Sequence, residues 1–191
     1  MQIFRALPTY KAITNDVLTP RSTARPPGNV PYVVDNLWEW ARPSHMPCRR
    51  FAVYASSSPT LALTSGAADS RAFRVELPGR FKAAQLLSNT DSKYHPECRG
   101  LRRWLIKQLG QSWIEESALA RHALAPLWMP CLESAETDEV LKGADKLDSR
   151  ALAQEIHYWQ DVRLIKTTDD IDPEAGEVFF EPLDGYWLIP T

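Results

Sequence analysis

The chain has 191 residues, 44% hydrophobic and 24% charged, the composition of a soluble globular protein long enough to build a full core without staples. It holds no apolar run near membrane-span length, no apolar leader core at the N-terminus and only three widely spaced cysteines. This excludes a spanning helix and a disulfide framework, and predicts a cytoplasmic protein or one delivered into a target cell's cytoplasm.

Chain order begins with Met1 to Leu7, where Ile3, Phe4 and Leu7 alternate weakly and predict a first strand ending at Pro8. Residues 19–31 are a loop, because Pro26, Pro27 and Pro31 let no helix pass. Tyr32 to Ala41 predicts a short helix, capped near Asp35 and stopped by Pro43. Phe51 to Ala55 is an apolar run that predicts a buried strand, broken by Ser56 and Ser57. Ser58 then caps a helix with Pro59 at its first position, with Leu61, Ala62 and Leu63 facing a core and Gly66 closing it. Unpaired N–H groups at such a strand-to-helix junction can hold an anion.

Arg71 to Leu77 and Phe81 to Leu87 predict two strands around a Pro78-Gly79 turn. Gly100 to Leu109 predicts an amphipathic helix, with Leu101, Trp104, Leu105 and Leu109 on one face and Arg99, Arg103 and Lys107 on another. Trp113 to Ala125 and Leu147 to Trp159 read as further helices, the second capped by Asp148 or Ser149. His122 and His157 read as ordinary residues of those helices. Val162 to Lys166, Glu177 to Glu181 and Tyr186 to Ile189 predict closing strands, with an acidic turn at 169–176. Strands, then helices, then strands define an α+β fold of one domain: a strand-rich core at 1–96 and 160–191, with a helical insertion at 97–159.

The net charge of −2 hides an asymmetry. Residues 1–132 carry seventeen Lys/Arg against nine Asp/Glu, and residues 133–191 carry five against fifteen. Either the two parts attract each other within the fold, or a basic groove for an anionic ligand stands near an acidic segment.

Three places invite chemistry. Arg5 lies in an apolar strand, where a charge needs an anionic partner: a carboxylate of the C-terminal third, or a ligand phosphate gripped by the planar guanidinium. Tyr54-Ala55-Ser56-Ser57 ends a strand. Glu177 opens an apolar strand just after Gly176, where a firmly held carboxylate can stabilise a cation or activate a nucleophile.

Together these residues resemble the ADP-ribosyltransferase superfamily. That family places Arg or His on its first core strand, a Ser- or Tyr-bearing strand in the middle, and a Glu opening a strand of the form Glu-Val-Leu-Leu-Pro. Glu177-Val178-Phe179-Phe180 with Pro182 is similar to the last of these. The resemblance implies a split strand-rich core that uses NAD as its substrate. It implies that Arg5 holds the pyrophosphate or ribose of NAD, that Tyr54 stacks on nicotinamide, and that Ser56 or Ser57 supports the site. Glu177 then stabilises the cationic ribose left when nicotinamide departs. Ala175 stands where the Arg-modifying members carry Gln or Glu, which leaves the acceptor open: a protein or a nucleic acid. A toxin or effector of this kind implies a neutralising partner protein as well.

Two other readings compete. His45-x-x-Cys48 and His95-x-x-Cys98 repeat one spacing, and the four side chains suffice for a tetrahedral zinc site. His95-Pro-Glu97 lacks the downstream Pro-Cys-x-x-Cys of zinc deaminases. Lys93, Arg99, Arg102, Arg103 and Lys107, interleaved with Tyr94 and Trp104 and joined by Arg42, Arg49 and Arg50, form a basic–aromatic pattern suited to phosphates and bases, as in a non-catalytic nucleic-acid-binding or interaction protein. No Gly-x-Ser-x-Gly elbow and no phosphate-binding Gly loop is present.

Overall fold

The computed structural model describes residues 2–11, 16–26, 28–110, 123–144 and 147–191. The fold is α+β, with helices and two antiparallel sheets. Its contacts divide the chain into two units: Met1–Thr23, Ser44–Ser92 and Asp161–Thr191 form the first, Ala24–Pro43 and Lys93–Gln160 the second.

The first unit holds every described strand. β1 (Ile3–Pro8), β3 (Ser70–Glu76) and β7 (Trp187–Pro190) make a three-stranded sheet in the order β1-β3-β7. β2 (Val53–Ala55), β4 (Phe81–Leu86), β5 (Val162–Ile165) and β6 (Val178–Pro182) make a four-stranded sheet in the order β2-β6-β4-β5. One apolar cluster, including Ile3, Val53, Phe73, Val75, Ala83, Val178, Phe180 and Leu188, draws on both sheets. β6 is internal to its sheet, and Val178, Phe179 and Phe180 are all buried, which is why its sequence is continuously apolar rather than alternating. An isolated bridge from Phe4 to Ser56 joins β1 to the end of β2, with Phe4 N–H donating to the Ser56 carbonyl and the reverse, each at 2.8 Å.

α2 (Pro59–Ser65) follows β2 as its sequence dictates. The Ser58 hydroxyl accepts from the Leu61 N–H at 3.2 Å, Pro59 takes the first helical position, and Gly66 ends the helix. Two differences are local. Phe51 lies outside the strand in a turn, 36% exposed, and only Ala62 of the helix is buried, because two turns of helix offer one deep position.

The second unit is helical. α1 (Tyr32–Trp40) starts from Pro31, not from Asp35, which is buried inside the helix together with Val33, Val34, Leu37 and Trp38. α3 (Glu97–Leu109) begins three residues before the expected Gly100, because its first turn closes on the Pro96 carbonyl. α4 (Ser134–Lys142) has no counterpart among the expected elements. It opens with a reciprocal cap in which Glu136 takes the Glu133 N–H and the Glu133 side chain takes an N–H of the first turn. α5 (Ser149–Glu155) is capped by Asp148 as expected but stops at Ile156, whose backbone is extended. The N–H of His157 donates to the Glu97 carboxylate at 2.5 Å instead of continuing the helix, so His157 is not a helix residue. The helix expected at 113–125 lies largely outside the described residues, and His122 with it.

Candidate functional site

Strand register builds the site. β2 and β6 pair Ala55 with Val178, so the next step along each chain brings Ser56 and Glu177 together. The Phe4–Ser56 bridge sets Arg5 beside them from β1. These residues line one open cleft of about 180 Å³, with Phe4, Ala6, Tyr54, Ala55, Ala62, Ser65, Gly66 and Thr90 around them. Arg5, Ser56 and Glu177 thus meet although more than half of the chain separates the first two from the third.

Glu177 is 8% exposed. Its Oε1 accepts from the Ser92 hydroxyl at 2.8 Å and from Arg49 Nη1 at 3.2 Å, and Arg49 Nη1 also donates to the Ser92 oxygen at 2.8 Å. Its Oε2 takes no hydrogen bond from the described residues. The two carboxylate oxygens are therefore unequal: Oε1 is anchored twice, and Oε2 is not held by the described residues. Burial pushes the carboxyl above its ordinary value; the Arg49 charge pulls it back, and the neighbouring Asp91 charge raises it further.

Arg49 is itself buried, its guanidinium 5.4 Å from the Tyr54 ring centroid and 5.2 Å from that of Phe179. The turn that carries it is tied at both ends. Cys48 N–H donates to the Glu181 carboxylate, and the Tyr54 hydroxyl donates to the Arg49 carbonyl at 2.8 Å.

The loop before Glu177 is fastened just as closely. Buried Gln85 donates to the Asp172 carbonyl at 2.8 Å and accepts from the Asp172 N–H at 2.9 Å. The Ser57 hydroxyl donates to the Pro173 carbonyl at 2.9 Å, so Ser57 holds this loop and does not line the cleft. Gly176 runs against another backbone: a Cβ built there would lie 1.7 Å from the Asn89 carbonyl oxygen. Gly176→Ala is expected to cost about 2 kcal/mol, a fall of roughly 4–8 °C in melting temperature, because a main-chain oxygen must be displaced. A calorimetric melt of the variant checks this.

Arg5 is half-buried, and its Nη1 donates to the Tyr186 hydroxyl at 2.8 Å. Among the described residues it has no carboxylate partner, which overturns an internal ion pair with the acidic C-terminal third. That third instead pairs through Arg49–Glu177 and, at the surface, Arg80–Asp184. Ser56 is buried with its backbone in the bridge, and its hydroxyl makes no hydrogen bond to the described residues. α2 has seven residues and its cap is filled by Ser58, so the helix start contributes no anion site.

None of the residues of the zinc reading is among those that line this cleft. His45 is exposed in a turn, and Cys48 is half-buried in the next. His95 packs edge-on against Trp38 and Tyr158, with ring centroids 5.7 and 5.2 Å away, and its Nδ1 accepts from the Glu97 N–H at 3.3 Å. Cys98 is buried on α3. No group of three or more His, Cys, Asp or Glu that could hold a metal occurs among the described residues. Glu97 is spent on Trp38, whose indole N–H donates to it at 2.8 Å, and on the His157 backbone.

Sequence reasoning missed Arg49, Ser92, Gln85 and Tyr186. Arg49 stood only as one of a basic cluster, and nothing local to Ser92 or Gln85 signals a partner some ninety residues away. No family model, curated protein or solved structure matches this chain.

Proposed function

We propose that the chain is an ADP-ribosyltransferase-like enzyme, a toxin or effector that uses NAD to modify a macromolecular target. The observation that carries this reading is the convergence of Arg5, Ser56 and Glu177 on one cleft, with an Arg that has no carboxylate partner, and a Glu whose second oxygen takes no hydrogen bond, among the described residues. The cleft's volume is below that of pockets enclosing whole drug-sized ligands, so it suits the nicotinamide–ribose end of NAD, with the remainder lying along its open side.

In this reading the Arg5 guanidinium binds the pyrophosphate and Tyr54 offers its ring to nicotinamide. The glycosidic bond breaks with its electron pair leaving on nicotinamide, and the ribose becomes cationic. Glu177 Oε2, held in place through Oε1, faces that charge and lowers the barrier. An acceptor nucleophile then adds to the ribose carbon and loses its proton. The carboxylate must be ionised for this role, so the acid limb of the rate profile is expected above the ordinary glutamate range. Ser92→Ala, which removes a hydrogen bond that favours the ionised form, should move that limb to higher pH.

Calorimetric titration of NAD tests binding directly. The native chain should show saturable heat, and Arg5→Ala should bind about 10–100-fold more weakly, the loss of a charged hydrogen-bonding group. No heat at millimolar NAD would overturn the reading.

A further inference from the structure

The solvent face of α3 has a character that the cleft does not explain. Arg99, Arg102, Arg103, Ile106 and Lys107 are all exposed, and their spacing places them within an arc of about 140° along about 12 Å of helix. The only acidic residue of α3, Glu97, is buried and bonded to Trp38 and His157, so it offers the stripe no counter-charge. Arg99, Arg102, Arg103 and Lys107 make no ion pair with any described residue. Four cations thus share one helix face with a single apolar side chain between them. Directly before the helix, Tyr94 is 63% exposed, with the Lys93 ammonium 4.8 Å from its ring centroid.

We infer that this face docks a single strand of nucleic acid, RNA or DNA, through its phosphates. Charge complementarity selects a polyanion. The preponderance of arginine favours phosphate, which a planar guanidinium grips by two parallel hydrogen bonds, and guanidinium planes also stack on unpaired bases. About 12 Å of helix matches three to four phosphates at the helical rise of one strand, as many as there are cations. An exposed tyrosine supplies a face for a base without demanding its identity, so binding is expected to be tolerant of sequence. The inference concerns the second unit alone and stands whether or not the cleft binds NAD.

Fluorescence anisotropy of a labelled oligouridylate and its deoxy counterpart, titrated with the full chain, decides it. With four phosphates neutralised on a single strand, the slope of log affinity on log salt should be about −2.8, an affinity loss of roughly fifty-fold between about 50 and 200 mM salt. Arg99→Gln/Arg102→Gln/Arg103→Gln changes only exposed side chains; it should keep the native melting temperature while reducing the slope to about −0.7. Absence of binding at about 50 mM salt would overturn the inference, as would a slope and affinity unchanged in the triple variant. Equal competition by polyglutamate would also overturn it, assigning the face to an acidic protein instead.

Discussion

Glu177→Gln is expected to lower ADP-ribosyl transfer or NAD cleavage by about 10²–10³-fold while leaving the melting temperature within about 4 °C of the parent. The amide oxygen can still accept from Ser92 and Arg49, so the packing of the site persists. What is lost is the negative charge that, in the proposed reaction, faces the ribose. The stability side follows from the direction of the Glu177 shift. Its folded value is raised above the unfolded one, chiefly by burial, so the fold prefers the protonated form. Its favourable contribution is complete below the ordinary glutamate value and is lost as pH rises through the folded value. The parent should therefore lose stability relative to Glu177→Gln across that window. Paired melts from acid to neutral pH, beside rate measurements, check both parts. A variant that melts far lower at neutral pH, where the parent is folded, would show that the ion pair with Arg49 is what the glutamate is for.

Arg49→Met is the second large effect, and it differs in kind. It removes the cation nearest a buried carboxylate and leaves Glu177 beside the buried Asp91. Breaking one side of a buried pair costs about 3–5 kcal/mol, enough to lower the melting temperature of a chain this size by roughly 10 °C. The loss should shrink as pH falls and Glu177 takes up a proton, because a neutral carboxyl needs no counter-ion. Combining Arg49→Met with Glu177→Gln should recover most of the stability at neutral pH. The asymmetry with the single Glu177→Gln change has a structural reason: Arg49 keeps the Tyr54 and Phe179 rings and the Ser92 hydroxyl when the carboxylate goes. A double-mutant cycle measured by denaturant unfolding tests this. Equal destabilisation in the single and double variants would mean that packing, not charge, explains Arg49.

Much of the local structure is legible in the residues themselves. Ser58, Pro59 and Gly66 bracket α2, and period-two alternation marks β3. Asp148 opens α5, capping through two N–H groups. α4 is not legible by the usual signs, because its cap is Glu133 and its nine residues carry four charges around a narrow apolar stripe. The end of α5 is set by Glu97, which draws off the His157 N–H from sixty residues away. His95-Pro-Glu97 looks like metal chemistry in one dimension. In three it is a ring packed between aromatics and a carboxylate occupied by an indole.

The α+β class, the strand–turn–helix at 53–66, the place of Arg5 within a strand and those of Ser56 and Glu177 at strand ends are legible in the residues alone. Those properties rest on caps, turns and side-chain periods that act over a few residues. Long-range packing is what pairs Glu177 with Arg49 and Ser92 rather than Arg5, gives Ser57 to the loop rather than the cleft, and brings the Arg5 guanidinium to a tyrosine hydroxyl. Those choices depend on the registers of strands far apart in sequence, Val53 opposite Phe180 among them, which are set when the apolar faces of two sheets find a common core. A change of one residue in either register would turn the same side chains to the opposite face and leave no cleft.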